Sequence, residues 1–451
     1  MDGNAAWMLT SASLVLLMTP GLAFFYGGMT RPKSVLNMMM MSFGAMGVVG
    51  ILYVLYGFSM SFGTRELAGV LSDPFQWWGL NGVTGPDGSR LVNGDPAFGY
   101  IGVAFQLTFA IITVALVSGA IADRARFGTW LVFSAVWVTL VYFPLAHMVW
   151  GGGFLSGADV DGLAARVYGV ADGAARVVPQ DFAGGTVVHV NAGVAGLVLA
   201  LVIGRRKGFG REPMRPHNLP LVMLGAGLLW FGWFGFNAGS ELAADGTAGL
   251  VWVNTCVATC AAMLGWLLLE RIRDGKGTSL GAASGAVAGL VAITPSCAAL
   301  TPSGSILLGL VTGMLCAMAV GLKYRFGFDD SLDVVGVHLV GGFVGTVSVG
   351  FLDSSTGLFY GHGPEQLVVQ LLVVLVALAF SGVLSLAIGL ALKATLGWRI
   401  DEDAEVEGID VSQHGETAYD FGWRGLAGGV VPAAVPGLSP APALTTEGAN
   451  R

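Results

Sequence analysis

Long runs of residues without charged side chains recur from one end of this chain to the other. A helix of about 20 such residues, rising 1.5 Å per residue, crosses the hydrocarbon core of a bilayer. The chain is 54% hydrophobic and 11% charged, whereas soluble domains contain roughly a quarter charged residues. The sequence therefore predicts an all-α polytopic membrane protein. Its eleven predicted transmembrane helices cover residues 7–28, 37–62, 98–121, 127–150, 183–203, 218–239, 248–270, 279–298, 304–322, 333–351 and 366–392.

The basic residues favour one orientation in the membrane. Cytoplasmic connections of membrane proteins carry an excess of Lys and Arg. If the N-terminus is outside and the C-terminus inside, all but four of the 22 basic residues fall in cytoplasmic segments. The net charge of -7 comes from acidic outer loops and an acidic tail, so the sequence indicates no nucleic-acid partner.

Two segments of the chain resemble each other and carry a histidine at the same position. Residues 181–198 read DFAGGTVVHVNAGVAGLV, and residues 330–347 read DSLDVVGVHLVGGFVGTV. Aligned without a gap, they share the pairs Asp181 with Asp330, His189 with His338, Gly193 with Gly342 and Gly196 with Gly345. The two segments open the fifth and the tenth predicted helices, so they begin on opposite sides of the membrane. This predicts an inverted repeat of two five-helix halves, residues 1–203 and 204–352, followed by an added helix within 353–393.

The paired histidines are the main functional signal in the residues themselves. An ionisable side chain inside a membrane span usually faces the bundle interior or a cavity and marks a pathway. One such histidine is more often a hydrogen-bonded core residue, but its repetition in both halves favours a shared role. Two imidazoles can relay a proton, and two transmembrane histidines can also be axial ligands of haem. The four cysteines have no metal-binding spacing, so no metal site is predicted.

Seven motifs, in chain order, resemble those of the ammonium transporter family (Amt/MEP/Rh) and of its bacterial Amt branch in particular. They are AHMVWGGG (146–153), DFAGGTVVHVNAG (181–193), WFGFNAGS (233–240), WVNT (252–255), ITPSC (293–297), DVVGVHLVGG (333–342) and EGIDVSQHGETAY (407–419). The resemblance covers the chain apart from two outer insertions and the last residues. It implies a homotrimer in the plasma membrane, with one pore in each subunit and no cofactor.

The resemblance also implies which side chains form the pathway. It implies that ammonium is recruited at the outer mouth and that two aromatic rings below the mouth form a gate. A pore is expected to lead from this gate to the inside. The implied residues are Trp150, Phe109 and Ser240 for recruitment, Phe109 and Phe236 for the gate, His189 and His338 for the pore, Asp181 as a helix cap at the mouth, and Trp233 and Thr294 as supporting residues behind the pore. Asp330 and Asp333 are expected to cap the second repeated segment from the inside.

The polar segments outside the predicted helices are the C-terminal tail and two outer insertions. Residues 394–424 contain the last motif, and the resemblance implies a cytoplasmic regulatory tail that binds a PII-type signalling protein. Residues 425–451 are rich in Ala, Pro and Gly, which predicts disorder. The outer segments 63–98 and 155–179 are interpreted as surface elaborations.

The sequence thus favours a transporter, not an enzyme, over three alternatives. The leading hypothesis is that ammonium is recruited outside, loses its proton at the gate and crosses as ammonia, with or without the released proton. The alternatives are an ammonium sensor that uses the same site, a neutral gas channel of the Rh type and a haem-binding redox protein.

Overall fold

A computed structural model of the chain describes residues 2–83 and 99–419. All helices and strands described below lie within one compact unit of the chain, Met1–Ala418. Within the described residues, ten helices are long and apolar enough to cross a membrane, and a shorter apolar helix lies among them. The prediction of a helical polytopic membrane protein is confirmed. The helices are α1 Gly3–Met29, α2 Val35–Phe62, α3 Tyr100–Ile121, α4 Phe127–Trp150, α5 Gly185–Ile203, α6 Leu219–Glu241, α7 Gly246–Asp274, α8 Ser279–Ile293, α9 Pro302–Phe326, α10 Val335–Leu352 and α11 Glu365–Thr395.

Helix α8 is shorter than the segment predicted over residues 279–298. It has 15 residues and ends at Ile293, after which the chain continues in a series of turns. Pro295 has no backbone N–H to extend the helical hydrogen bonding. A helix of this length falls short of the roughly 20 residues that cross a bilayer, so helix length alone supports ten spans rather than eleven.

Among the ten long helices, α3 and α5 are the most buried, and α2 and α11 are the least buried. Helix α1 packs along α6, α5 packs against α10, and α7, α8 and α9 pack against one another. The repeated segment in α5 is mostly buried, and His338 in the repeated segment of α10 is buried as well. Both histidines therefore face other helices.

Charged side chains are buried together where α3, α5 and α9 end. Arg206 lies 3.0 Å from Asp123 and 2.8 Å from Asp329, and Arg124 lies 3.9 Å from Asp329. Burial alone would raise the pKa of Asp329, but hydrogen bonds from Arg206 and the charge of Arg124 outweigh it and hold that pKa below its usual range. Removing one partner would leave another charge buried and unpaired. These ion pairs therefore fix the connections between successive helices.

The outer segment 155–179 is more than a surface elaboration. It contains a short helix, Leu163–Tyr168, and a hairpin in which Val170–Ala171 pairs with Ala174–Ala175. Its Leu155 and its alanines at 164, 165 and 175 are buried in an apolar cluster with side chains of α4 and α11. This segment is therefore part of the packed structure, which the glycine-rich and alanine-rich composition did not indicate.

The described part of the tail forms two short helices, α12 Glu402–Glu407 and α13 Ile409–His414. The carboxylate of Asp410 accepts hydrogen bonds from the backbone N–H groups of Leu36 and Asn37, at 3.0 and 2.8 Å. It therefore caps the start of α2, where free N–H groups need an acceptor. Glu405 is also buried and accepts from the backbone N–H of Lys207 at 2.7 Å. Residues 425–451, for which disorder is predicted, lie outside the described residues.

Replacing Asp410 with Ala should loosen the tail from α2. Loss of a helix-capping carboxylate costs about 0.5–2 kcal/mol, so amide hydrogen exchange in residues 402–414 should become roughly 2-fold to 30-fold faster. Asp403 is exposed on α12, and Asp403→Ala is the matched control. Equal exchange in the two variants would show that the cap does not hold the tail.

Candidate functional site

Two buried histidines face each other where α5 and α10 cross. The Nδ1 atoms of His189 and His338 lie 3.3 Å apart, and the rings are 28° from parallel with centroids 5.4 Å apart. A hydrogen bond between neutral imidazoles requires one Nδ1 to carry the proton and the other to accept it. The buried Nε2 of His189 has no hydrogen-bond partner among the described residues. It is therefore available to a small polar molecule beside the ring.

Both histidines lie in π-helical turns, Gly185–Val190 in α5 and Val335–Leu339 in α10. Such turns are rare and often mark functional sites, because the extra residue in the turn changes the direction of the side chains that follow. The two repeated segments thus share a backbone irregularity as well as a sequence pattern. Nothing in the apolar periodicity of the sequence predicted it.

Two glycines that the repeat shares allow the helices to approach at this point. A Cβ atom on Gly193 of α5 would lie 2.5 Å from the backbone nitrogen of Leu339 in α10. Reciprocally, a Cβ atom on Gly342 of α10 would lie 2.9 Å from Cβ of His189. Small residues permit this kind of backbone contact between membrane helices. The glycines therefore set the spacing at which the imidazoles meet.

Aspartates cap both segments. The carboxylate of Asp181 accepts from four backbone N–H groups at the start of α5, at distances of 2.6–3.1 Å. Burial raises the pKa of Asp181, while these N–H groups act in the opposite direction. Asp330 accepts from the N–H groups of Val334 and Val335 at the start of α10.

Asp333 behaves differently from Asp330. Capping by both aspartates was expected at the start of α10, but the carboxylate of Asp333 pairs with Lys323 at 2.7 Å instead. The side chain of Lys323 also donates to the backbone carbonyl of Asp330. The carboxylate of Asp333 is therefore neutralised by Lys323 and does not cap the helix.

An open recess of about 270 Å³ brings the expected recruitment residues together. The indole N–H of Trp150 donates to the backbone carbonyl of Asp181 at 2.8 Å, which fixes the ring. The ring of Phe109 is almost perpendicular to it, at 86° and 6.0 Å between centroids. The hydroxyl of Ser240 donates to the carbonyl of Phe236 at 2.8 Å, so its oxygen remains an acceptor for a donor in the recess. We call this cavity the outer recess.

Among the residues that line the outer recess and that the sequence analysis missed, two adjoin Phe109 on α3. Phe105 and Gln106 line it beside Phe109, and the buried Oε1 of Gln106 has no hydrogen-bond partner among the described residues. Phe105 lies one helical turn before Phe109, so helical spacing could have indicated it. A polar Gln in an apolar span was a further signal.

A stacked ring pair separates the outer recess from the histidines. The rings of Phe109 and Phe236 are 4.1 Å apart and 20° from parallel, and Phe236 in turn lies 6.0 Å from the ring of His189. Beyond the rings lies a cavity of about 10 Å³, lined by both histidines and mainly by aliphatic and aromatic side chains. About this volume admits the centre of one water-sized molecule. We call this cavity the lumen.

Trp233 and Thr294 also meet at the lumen. The indole of Trp233 lies in the lumen wall and stacks on His189, at 5.4 Å and 23°. Its N–H donates to the hydroxyl of Thr294 at 2.9 Å. Of the two residues assigned to a supporting position, Thr294 lies behind the lumen wall and Trp233 forms part of that wall.

The geometry does not fit the haem alternative. Axial ligands bind iron from opposite faces of a porphyrin, but the Nδ1 atoms of His189 and His338 are 3.3 Å apart and the adjoining cavity holds about 10 Å³. In the part of the chain that the structure describes, no group of three His, Cys, Asp or Glu side chains could hold a metal ion. The paired imidazoles therefore suit a small neutral molecule better than a cofactor.

The fold and this site define a multi-pass membrane transport protein with a narrow, mainly apolar passage. Comparison with known proteins gives the family: the sequence model of the Ammonium Transporter Family matches residues 6–419. An ammonium transporter of Mycobacterium tuberculosis (strain ATCC 25618 / H37Rv) is 54% identical over 442 residues, covering 93% of this chain and 90% of the relative. One of Aquifex aeolicus is 45% identical, covering 93% of this chain and 94% of the relative.

Solved structures agree with the sequence relatives. A structure named "Sensor Amt Protein" superposes with a TM-score of 0.81 at 28% identity, covering 92% of this chain and 98% of its own. Mep2 of Saccharomyces cerevisiae superposes with a TM-score of 0.78 at 30% identity, covering 89% and 91%. The chain belongs to the ammonium transporter family and is a multi-pass protein of the plasma membrane.

Adding a methyl group at the helix crossing should disturb the histidine pair. Gly342→Ala and Gly193→Ala would force α5 and α10 apart, and overpacking of this kind typically costs about 1–3 kcal/mol. The thermal unfolding midpoint in detergent should fall in both variants. Gly47→Ala is the control, because a Cβ at Gly47 meets no atom within 4 Å. Midpoints equal to that of the control would contradict a tight crossing.

Proposed function

We propose that this protein recruits ammonium in the outer recess, removes its proton at the ring pair and conducts ammonia past His189 and His338. The observation that carries the proposal is the order of the contacts. Trp150 touches Phe109, Phe109 stacks on Phe236, Phe236 adjoins His189, and His189 meets His338. Aromatic rings that suit a cation thus lead to a tiny, mainly apolar space that suits a neutral molecule.

The outer recess has the chemistry to hold ammonium. Trp is the best aromatic partner for a cation, and such contacts contribute about 0.5–2 kcal/mol. Ammonium donates up to four hydrogen bonds, and the oxygen of Ser240 and Oε1 of Gln106 are acceptors in the recess wall. The side chains of Phe105 and Phe109 limit water around the ion. The recess can thus select a small cation before its proton is lost.

The lumen disfavours the charged form. Moving an unpaired ion into a low-dielectric interior costs several kcal/mol or more, and the space between the helices holds about one small molecule. Ammonia can accept from one imidazole and donate to another, so the histidine pair replaces hydrogen bonds lost from water. The released proton can travel separately, because the pair can exchange tautomers.

We further propose the topology that the sequence predicts. The N-terminus lies outside, the C-terminus lies inside, and α8 with its following turns completes an eleventh crossing. The caps at Asp181 and Asp330, the glycine contacts at Gly193 and Gly342 and the two π-helical turns all support an inverted relation between residues 1–203 and 204–352. Helix α11 is then an addition, followed by a cytoplasmic tail.

A homotrimer regulated from the cytoplasmic face is part of the same proposal. The tail within residues 394–424 contacts the start of α2 through Asp410 and the α5–α6 connection through Glu405. A PII-type signalling protein bound to this tail could therefore act on several helices at once. Removal of residues 394–451 should abolish its binding.

A sensor is the second candidate, favoured by the similarity to the solved structure named "Sensor Amt Protein". A sensor needs the outer recess to bind ammonium and the tail to report it, but no flux through the lumen. Measurements of transport separate the two, because only a transporter loses flux when the histidines are replaced.

Replacing both pore histidines should stop transport. In liposomes on a solid-supported membrane, an ammonium jump should give a transient current with the natural protein and none with the His189→Ala/His338→Ala variant, which lacks the hydrogen bonds that carry ammonia and a proton. Internal pH should be followed in parallel, since a neutral ammonia channel moves no net charge.

The matched control for that experiment is His362→Ala, because His362 is exposed in the loop before α11. It should keep the current of the natural protein. Equal uptake by the double variant and the natural protein would contradict a histidine-lined pathway. No response of the natural protein by either method would favour the sensor.

Replacing Trp150 with Leu should weaken recruitment without unfolding the protein. Loss of about 0.5–2 kcal/mol of cation–π attraction predicts a half-saturating ammonium concentration about 2-fold to 30-fold higher. Trp252→Leu is the control, because Trp252 is 45% exposed on α7 away from the recess. A similar concentration for both variants would argue against recruitment by Trp150.

A further inference from the structure

Another cavity lies at the end of the molecule opposite the outer recess. It has a volume of about 440 Å³ and is formed where the chain leaves α5 and α9. This volume is within the range of about 300–1,000 Å³ typical of small-molecule sites. Its side chains come from Arg205, Phe209, Arg211, Tyr324, Arg325 and Phe326. We call it the arginine pocket.

The charge of the arginine pocket is one-sided. Its described lining contains three arginines and no acidic residue. Neither Arg211 nor Arg325 has an acidic side chain within ion-pair distance among the described residues, and both are exposed. Guanidinium groups present a planar set of donors that matches phosphate oxygens. The pocket therefore favours a phosphate-bearing anion over a neutral or cationic ligand.

Arg205 is held in place before any ligand binds. Its Nε donates to the backbone carbonyl of Gly327 at 2.6 Å, and its own carbonyl accepts from Arg399 at 2.5 Å. A side chain on Gly327 would collide with this guanidinium, and its φ of 72° also favours glycine. The pocket is thus a built feature, with one arginine fixed and two that are free to close on a ligand.

Aromatic rings complete the wall and indicate the depth of the pocket. Phe209, in the connection after α5, and Tyr324, in the last turn of α9, stack 5.6 Å apart and 7° from parallel, and the guanidinium of Arg205 lies 6.0 Å from the Phe209 ring. Tyr324 and Phe326, at the end of an apolar helix, are 63% and 68% exposed. Exposed aromatic residues at the ends of membrane helices mark the level of the lipid headgroups.

We propose that the arginine pocket binds a phosphate-bearing anion, and that its occupant in the membrane is the headgroup of an anionic phospholipid. Basic pockets between transmembrane helices on the cytoplasmic side suit such headgroups. The exposed rings would lie at the level of the headgroups, beside the phosphate that the arginines hold. The site is separate from the transport pathway, so it goes beyond the function proposed above.

Binding of phosphatidylglycerol to the purified full chain tests the proposal. Native mass spectrometry of the detergent-solubilised protein would compare phosphatidylglycerol, phosphatidylcholine and inorganic phosphate. Phosphatidylglycerol should bind more tightly than the other two. The Arg211→Gln/Arg325→Gln variant should bind it about 30-fold more weakly, since each basic residue near a membrane surface contributes about a factor of five.

The control is Arg215→Gln/Lys276→Gln, which removes the same charge from residues of the same face outside the pocket. It should bind phosphatidylglycerol within about twofold of the natural protein. Equal losses in both variants, or an unchanged affinity in the pocket variant, would overturn the site. Tighter binding of inorganic phosphate, lost in the pocket variant, would overturn the lipid as occupant and assign the pocket to soluble phosphates.

Discussion

The contact between two imidazoles inside a mainly apolar lumen is the interaction on which the rest of the structure depends. An unsatisfied polar group in such a place costs free energy, and a charged one costs far more. The 3.3 Å separation allows the Nδ1 atom of each neutral ring to satisfy the Nδ1 atom of the other. Gly193 and Gly342 make the crossing close enough, and the π-helical turns direct the rings toward each other.

The same cost of burying charge explains where the charged groups lie. Asp181 is buried at the mouth and is satisfied by four backbone N–H groups. At the other end, Arg206 lies between two aspartates, which places two opposite charges around this cation. Charged groups thus occupy the two ends of the helices, while the lumen is lined only by groups that can remain neutral. An unpaired ion would therefore cost more free energy in the lumen than in the outer recess, whereas a small neutral molecule would not.

Much of the architecture could be read from the sequence because membrane helices are long and uniformly apolar. Ten predicted spans correspond to helices, and the histidines of the two paired segments, His189 and His338, lie in contact. Helix α8 departed from its predicted length because Pro295 and the turns after Ile293 interrupt an otherwise apolar run. Apolar periodicity reports burial, but it does not report where backbone hydrogen bonding stops.

The sequence by itself determined the class of protein, the helices and the identity of the residues that repeat, because these depend on local composition and spacing. Only the tertiary structure decided which residues share a cavity. Gln106 lines the outer recess and Trp233 lines the lumen. Asp333 pairs with Lys323, and residues of segment 155–179 are buried in an apolar cluster. Each of these results depends on contacts between residues that lie on different elements of the chain. Such contacts follow from how the helices pack, which no single stretch of sequence specifies.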